Sequence, residues 1–134
     1  MIKPTLPTIP FKSPKSFETW LEKQHEKSTG IWMKIYKKDS GIKTITYAEA
    51  LDVALCFGWI DGQKQAFDEE CWLQKFCPRT TKSIWSKVNI GHVERLIKND
   101  KMRPAGLKAI ESAKADGRWE KAYDSPSKMT IPED

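Results

Sequence analysis

The residues that could do chemistry lie in one part of the chain, between positions 59 and 89. Trp59 and Asp61 stand two positions apart, and an arginine, a lysine, a second tryptophan and two small polar residues follow. Cationic side chains hold anions, indoles stack on planar groups, and the amides at a helix start add partial positive charge. We therefore predict a binding site for a small anionic or aromatic molecule, or for a protein partner, formed by Trp59, Asp61, Arg79, Trp85, Ser86, Lys87 and Asn89.

The same residues also have a structural interpretation. Asp61 would then pair with Arg79 or Lys87, the tryptophans would fill the core, and Asn89 would only cap a helix. Ion pairs of this kind are a common use of such residues. An open cleft would favour the ligand site, and a closely packed cluster would favour the structural use.

Signals for catalysis are weak. His25 and His92 are the candidate general bases of the sequence, and they lie on different predicted helices. The three cysteines include no Cys-x-x-Cys pair, and there is no glycine-rich phosphate loop. The acidic run at 68–70 is typical of a solvated turn. We predict no catalytic residue, metal site or cofactor, and the sequence favours a binding protein over an enzyme.

The charge of the chain suggests a second function. Lysine and arginine number 23 against 18 acidic residues, which gives a net charge of +5. Single-strand binders alternate cations with aromatic stacking platforms, and Trp72, Phe76 and Trp85 lie in the basic part of this sequence. The alternative function is therefore nucleic-acid binding on a basic, tryptophan-containing surface, and a solvated basic face explains the same charges. The cations are Lys75, Arg79, Lys82, Lys87, Arg95, Lys98 and Lys101.

Helix and strand signals alternate along the first half of the chain. Ser13–Pro14 predicts a helix start. Ile31–Lys37 alternates apolar with polar side chains, as a half-buried strand does. The spacing of Thr46 and Glu49 is that of a capping box, which predicts a second helix. That helix should end at Gly58, because glycine adopts the left-handed conformation of a helix end without steric cost.

A hairpin of two strands, Trp59–Phe67 and Cys71–Cys77, is predicted after this glycine. Alternation along the first strand places Trp59, Asp61 and Gln63 on one face and Lys64 on the other. Asp61 is therefore expected to stand beside an indole.

Two more helices complete the predicted fold. Asn89 is expected to cap one helix, and Pro104 fits the first turn of the last. A chain of 134 residues, of which 39% are hydrophobic, is about one domain. We predict an α+β fold with a small antiparallel sheet of about three or more strands, about four helices and a C-terminal helical hairpin.

The domain is expected to span residues 13–124, after an extended N-terminal arm over 1–12 and before a flexible tail over 125–134. Three prolines interrupt the first residues, where a signal peptide would need a continuous apolar helix. No apolar run approaches the roughly 20 residues that span a bilayer. We therefore expect a cytoplasmic protein without membrane insertion.

The order and spacing of several motifs resemble those of the YdeI/OmpD-associated family of small bacterial proteins. The motifs are TYAEA (46–50), CFGWIDGQ (56–63), FCPR (76–79), WSKVN (85–89), VERLI (93–97) and PAGL (104–107). Members are associated by name with bacteriocin protection or with the porin OmpD. The resemblance implies a non-enzymatic binding or stress-protection protein and no known reaction.

Proteins of this type usually continue past the segment that matches Met129–Asp134 into a further short helical region. That region carries much of the association in the family's name. We therefore expect the resemblance to apply mainly to the α+β body.

Overall fold

The structure is a computed structural model that describes residues 6–37, 40–79 and 85–122. It has an α+β architecture with four strands and four helices, which confirms the predicted fold class. In chain order the elements are β1 (Thr8–Pro10), α1 (Pro14–Gln24), β2 (Ile31–Tyr36), α2 (Tyr47–Cys56), β3 (Trp59–Ala66), β4 (Cys71–Pro78), α3 (Lys87–Lys98) and α4 (Pro104–Ala115).

The four strands form one mixed sheet in the order β1-β2-β4-β3. The pairs β2–β4 and β4–β3 are antiparallel, as predicted, whereas β1 runs parallel to β2. Helix α1 lies between β1 and β2 in the chain, and a crossover of this kind makes parallel neighbours. The predicted arm over 1–12 thus contains an edge strand of the sheet. The predicted tail over 125–134 lies outside the described residues.

Local capping groups set the helix starts. Ser13 and Thr46 each form a capping box, with Ser16 and Glu49 respectively. The prediction that Asn89 caps α3 is wrong: Ser86 is the cap, and its Oγ accepts from the backbone N–H of Asn89 at 3.1 Å. The helix begins three residues earlier than expected because the serine oxygen satisfies an amide that would otherwise have no partner.

The strands alternate between two faces, and the helices cover one of them. Ile31, Met33 and Ile35 are buried on the covered face. There Phe17 of α1 packs on Phe76 of β4, with ring centres 5.8 Å apart. The core therefore lies between the sheet and the helices.

A bulge in β3 corrects the predicted faces of that strand. Asp61 lies opposite Phe76, and Lys64 lies opposite Gln74. Between these two pairs β3 advances by three residues and β4 by two, so β3 contains one extra residue. Lys64 consequently shares the face of Asp61 instead of lying on the other side. The buried Gln74 amide donates to the carbonyl oxygen of Gly62 at 2.9 Å and so holds the bulge.

Helices α3 and α4 follow each other after a short link, and both pack against α2. Contact between α4 and the end of α2 is very close, because a Cβ on Gly106 would lie 2.2 Å from the carbonyl oxygen of Cys56. The backbone N–H of Arg103 donates to that same oxygen at 3.1 Å. Gly58, which follows α2, has the predicted positive φ of +79°. This junction places α4 beside the start of β3.

Candidate functional site

Three of the seven predicted site residues line one cavity of about 250 Å³. Trp59, Arg79 and Trp85 lie on its wall, which α4 completes on the opposite side with Lys108 and Ser112. The predicted site is therefore partly assembled in the fold. Its cavity lies where β3 begins, β4 ends and α4 crosses.

Arg79 lies flat on the indole of Trp85. The guanidinium carbon is 3.7 Å from the ring centre, a close cation–π contact. The backbone N–H of Arg79 also donates to the carbonyl oxygen of Gly58 at 3.0 Å. The left-handed turn at Gly58 thus fixes the backbone from which this guanidinium projects.

Trp85 is 2% exposed, and Trp119 packs on it with ring centres 5.1 Å apart. Its Nε1–H is buried and has no hydrogen-bond acceptor among the described residues. A buried donor without an acceptor costs about 1–3 kcal/mol.

The charge on the cavity wall is positive. Lys108 and Arg118 line it together with Arg79, and no aspartate or glutamate does so within residues 6–37, 40–79 and 85–122. The side chain of Arg118 is held by Asp116, which does not line the cavity. The Nε of Arg118 donates to both carboxylate oxygens of Asp116, at 2.8 and 2.9 Å. That contact also holds the pKa of Asp116 below its usual range. The cavity can therefore attract and hold an anion.

Asp61 has a different partner from the two that the sequence suggested. Its Oδ2 accepts a hydrogen bond of 2.5 Å from the hydroxyl of Tyr47, where Arg79 or Lys87 was expected. The carboxylate is half-buried and does not line the cavity. Asp61 thus has a structural role between α2 and β3.

The other three predicted residues form the start of α3. Ser86 is the helix cap, Lys87 is the exposed first residue of the helix, and Asn89 donates its backbone N–H to the cap. None of the three lines the cavity. The structure therefore divides the predicted site into a cavity group, an α2–β3 contact and a helix cap.

Sequence reasoning missed the contribution of α4. Lys108 and Ser112 lie on the same side of this helix, four residues apart. Nothing in their local sequence distinguishes them from ordinary surface residues. A second cavity, of about 390 Å³, shares Phe57, Ala105 and Lys108 with the first.

No set of three histidine, cysteine or acidic side chains is arranged to hold a metal ion in the part of the chain that the structure describes. Among those same residues, no helix has both the length and the apolarity needed to cross a bilayer.

A sequence profile for the domain of unknown function DUF8412 matches residues 9–109. This chain belongs to the DUF8412 family. The matched DUF8412 region includes the sheet except Thr8 and the first part of α4, together with the cavity residues Trp59, Arg79, Trp85 and Lys108. No curated protein and no solved structure matches the chain significantly.

Proposed function

We propose that this protein is a non-enzymatic binding protein for a small anionic ligand, held in the cavity between Arg79, Trp85 and Lys108. The observation that carries the proposal is the wall itself: three cations line it, Arg118 among them in an ion pair with Asp116, and no aspartate or glutamate of the described residues lines it. Trp85 supports the wall from behind, under the guanidinium of Arg79. Cationic donors favour an anion over a cation or an apolar molecule.

The size and the apolar part of the wall limit the ligand further. A cavity of about 250 Å³ lies just below the usual range for drug-sized ligands, so a small molecule fits best. Pro78, Ala105 and Ala109 provide apolar surface beside the cations, whereas Trp59 and Trp85 are buried behind the wall. A carboxylate or phosphate attached to one small apolar group, such as a single ring, combines these requirements.

The resemblance to the YdeI/OmpD-associated family is compatible with this proposal. Proteins with names of that kind are linked with protection from bacteriocins or with a porin, and such a role needs binding but no reaction. We propose that a stress-protection function of this chain would act through ligand binding in the cavity. Membership in DUF8412 carries no activity with it, so the proposal rests on the cavity alone.

Titration with three probes tests the site: inorganic phosphate, benzoate and phenyl phosphate. Each probe is added to the ¹⁵N-labelled protein while the indole N–H resonances are recorded, and calorimetry gives the dissociation constant. We expect phenyl phosphate to bind most tightly and to move the Trp85 indole resonance. Lys108→Gln should weaken its binding by roughly fivefold, because one charge-assisted contact is lost.

Lys98→Gln is the matched control, since Lys98 is an exposed lysine of α3 outside the cavity. It removes the same charge and should leave the dissociation constant unchanged. Trp85→Phe keeps a ring but weakens the cation–π contact that positions Arg79, and it should weaken binding while the protein stays folded. If none of the three probes moves the Trp85 resonance at about 10 mM, the Arg79–Trp85 stack is only structural and the proposal fails.

A further inference from the structure

The second face of the sheet carries aromatic rings around a lysine. Trp32, Lys34 and Tyr36 alternate with the buried residues of β2 and are each half-buried. Trp32 and Tyr36 are absent from the set of side chains that pack in or against the core. Phe67 is 50% exposed, and the Lys34 ammonium lies 4.9 Å from the centre of its ring. These side chains define what we call the outer face.

Lys75 adds a second cation to the outer face. It pairs with Trp32 across the β2–β4 ladder, so the two side chains are neighbours. Its stem lies against Gly62 of β3, where an added Cβ would be 3.4 Å from Lys75 Cδ. The absence of a side chain at Gly62 leaves the sheet flat beside this lysine.

The strands carry an excess of positive charge. Strands β2, β3 and β4 contain three lysines, Lys34, Lys64 and Lys75, and one carboxylate, Asp61. Asp61 lies on the helix-covered face and is bonded to Tyr47. On the outer face, these three strands therefore carry lysines and no acidic residue.

Acidic side chains do occur at one end of the outer face, in the turn at 68–70. Hydrogen bonds from backbone amides are the main cause of the lowered pKa of Asp68. The positive charge of the nearby Lys34 lowers the pKa of Asp68 further. The N–H groups of Glu70 and Cys71 both donate to Asp68 Oδ1, at 2.8 and 2.9 Å. This carboxylate thus closes the turn, and Lys75 lies seven residues farther along the chain.

We propose that the outer face binds single-stranded nucleic acid. Trp32 and Tyr36 are four residues apart, or roughly 13 Å at ~3.3 Å per residue, with Lys34 between them. Single-strand binders use this alternation, because bases stack on rings while phosphates meet lysines. Both rings stand on the same face of β2, so one extended strand can reach both. The site is separate from the anion cavity and does not depend on it.

This surface differs from the one that the sequence suggested. Phe76 and Trp85 are 0% and 2% exposed, so neither can act as a stacking platform. Trp72 pairs with Ile35 on the covered face, and the Lys64 ammonium lies 5.0 Å from the centre of its ring. Lys82 lies outside the described residues. The aromatic platforms that remain are those of β2.

Fluorescence anisotropy with a labelled oligothymidine of about twelve nucleotides tests the proposal. We expect Trp32→Leu and Tyr36→Leu each to weaken binding by about tenfold, since each removes one stacking platform but keeps apolar bulk. A fourfold rise in potassium chloride should weaken the wild-type complex by roughly sevenfold, if Lys34 and Lys75 meet about two phosphates.

Two double variants, each of which removes two positive charges, distinguish binding at this site from a general attraction of nucleic acid to a basic protein. Lys34→Gln with Lys75→Gln should weaken binding by about tenfold, whereas Lys23→Gln with Lys98→Gln should change it less than about twofold. Thermal unfolding confirms that each variant is folded. Four results would each overturn the proposal: no binding at low salt, equal losses in the two double variants, unchanged binding in both leucine variants, or equal competition by polyglutamate.

Discussion

The hydroxyl of Tyr47 donates a 2.5 Å hydrogen bond to Oδ2 of Asp61. Tyr47 is the first residue of α2, and Asp61 is the third residue of β3. The bond therefore ties the start of the helix to the strand that follows it, across the turn at Gly58. It also explains why the most conspicuous acid of the sequence is not part of the anion cavity.

Removing either partner of this bond should destabilise the protein. We expect Tyr47→Phe to lower the free energy of unfolding by about 1 kcal/mol, because the half-buried carboxylate loses a donor. A double-mutant cycle with Asp61→Ala, measured by urea denaturation, isolates the pair from the other contacts of Tyr47. A coupling energy of about 1 kcal/mol is expected. A coupling near zero would show that Asp61 is satisfied by water and that the contact adds nothing.

The close contact of α4 with the end of α2 predicts opposite effects for two glycine substitutions. Gly106→Ala would place a methyl group 2.2 Å from the Cys56 carbonyl oxygen, so the helices must separate. We expect a loss of about 3 kcal/mol, at the upper end for overpacking. Gly91→Ala is the control, because its Cβ would have no neighbour within 4 Å.

Gly91 also lies inside a helix, so alanine there should stabilise the protein by about 0.5–1 kcal/mol through its higher helix propensity. Both variants are compared with the wild type by chemical denaturation. If Gly106→Ala were as stable as Gly91→Ala, α4 would not be fixed against α2, and the cavity would not be preformed.

The sequence predicted those parts of the fold that local chemistry determines. The Thr46–Glu49 capping box marks the start of α2, and the left-handed Gly58 marks its end. Both were predictable because each depends on neighbours within four residues. The β3 bulge was not predictable, because it is held by Gln74, which is twelve residues from its partner Gly62.

The candidate site was predictable only in part, for the same reason. The predicted hairpin brings Trp59 beside the end of β4, next to Arg79, and Trp85 follows six residues later in the sequence. Lys108 reaches it through the packing of α4 on α2, a long-range contact without a local pattern. Tyr47 had no feature that marked it as the partner of Asp61, because a tyrosine at the start of a helix is ordinary.

Arg103 should contribute more to stability than a simple surface cation. Its guanidinium contacts Glu18, donates to Glu22 at 2.8 Å and lies 5.1 Å from the centre of the Phe57 ring. We expect Arg103→Met to cost about 1 kcal/mol, since its side chain is a third exposed and solvent screens the charges. Lys15→Met is the control.

Lys15 also pairs with Glu18, at 3.7 Å, but its side chain is 78% exposed. Its loss should change the free energy of unfolding by less than about 0.5 kcal/mol. Equal losses for the two variants in thermal unfolding would show that Arg103 acts only as one more surface charge.

Cys56 is expected to react slowly with alkylating agents. Burial raises the pKa of its thiol from 9.0 to about 11, and the charges of Asp52 and Glu18 add to the increase. The thiolate is the nucleophile, and at pH 8 Cys56 should have about 100-fold less thiolate than an ordinary thiol. Its alkylation should therefore be about 100-fold slower, before any effect of restricted access. The rate should then rise about tenfold per pH unit up to about pH 10.

Iodoacetamide labelling, followed peptide by peptide with mass spectrometry, measures this rate in the folded protein and in urea. The raised pKa also means that the neutral thiol favours folding below pH 9, and that this contribution is lost as the pH rises toward 11. Equal labelling rates for Cys56 in the folded and the unfolded protein at pH 8 would contradict both expectations. They would show that the end of α2, on which α4 rests, opens readily to solvent.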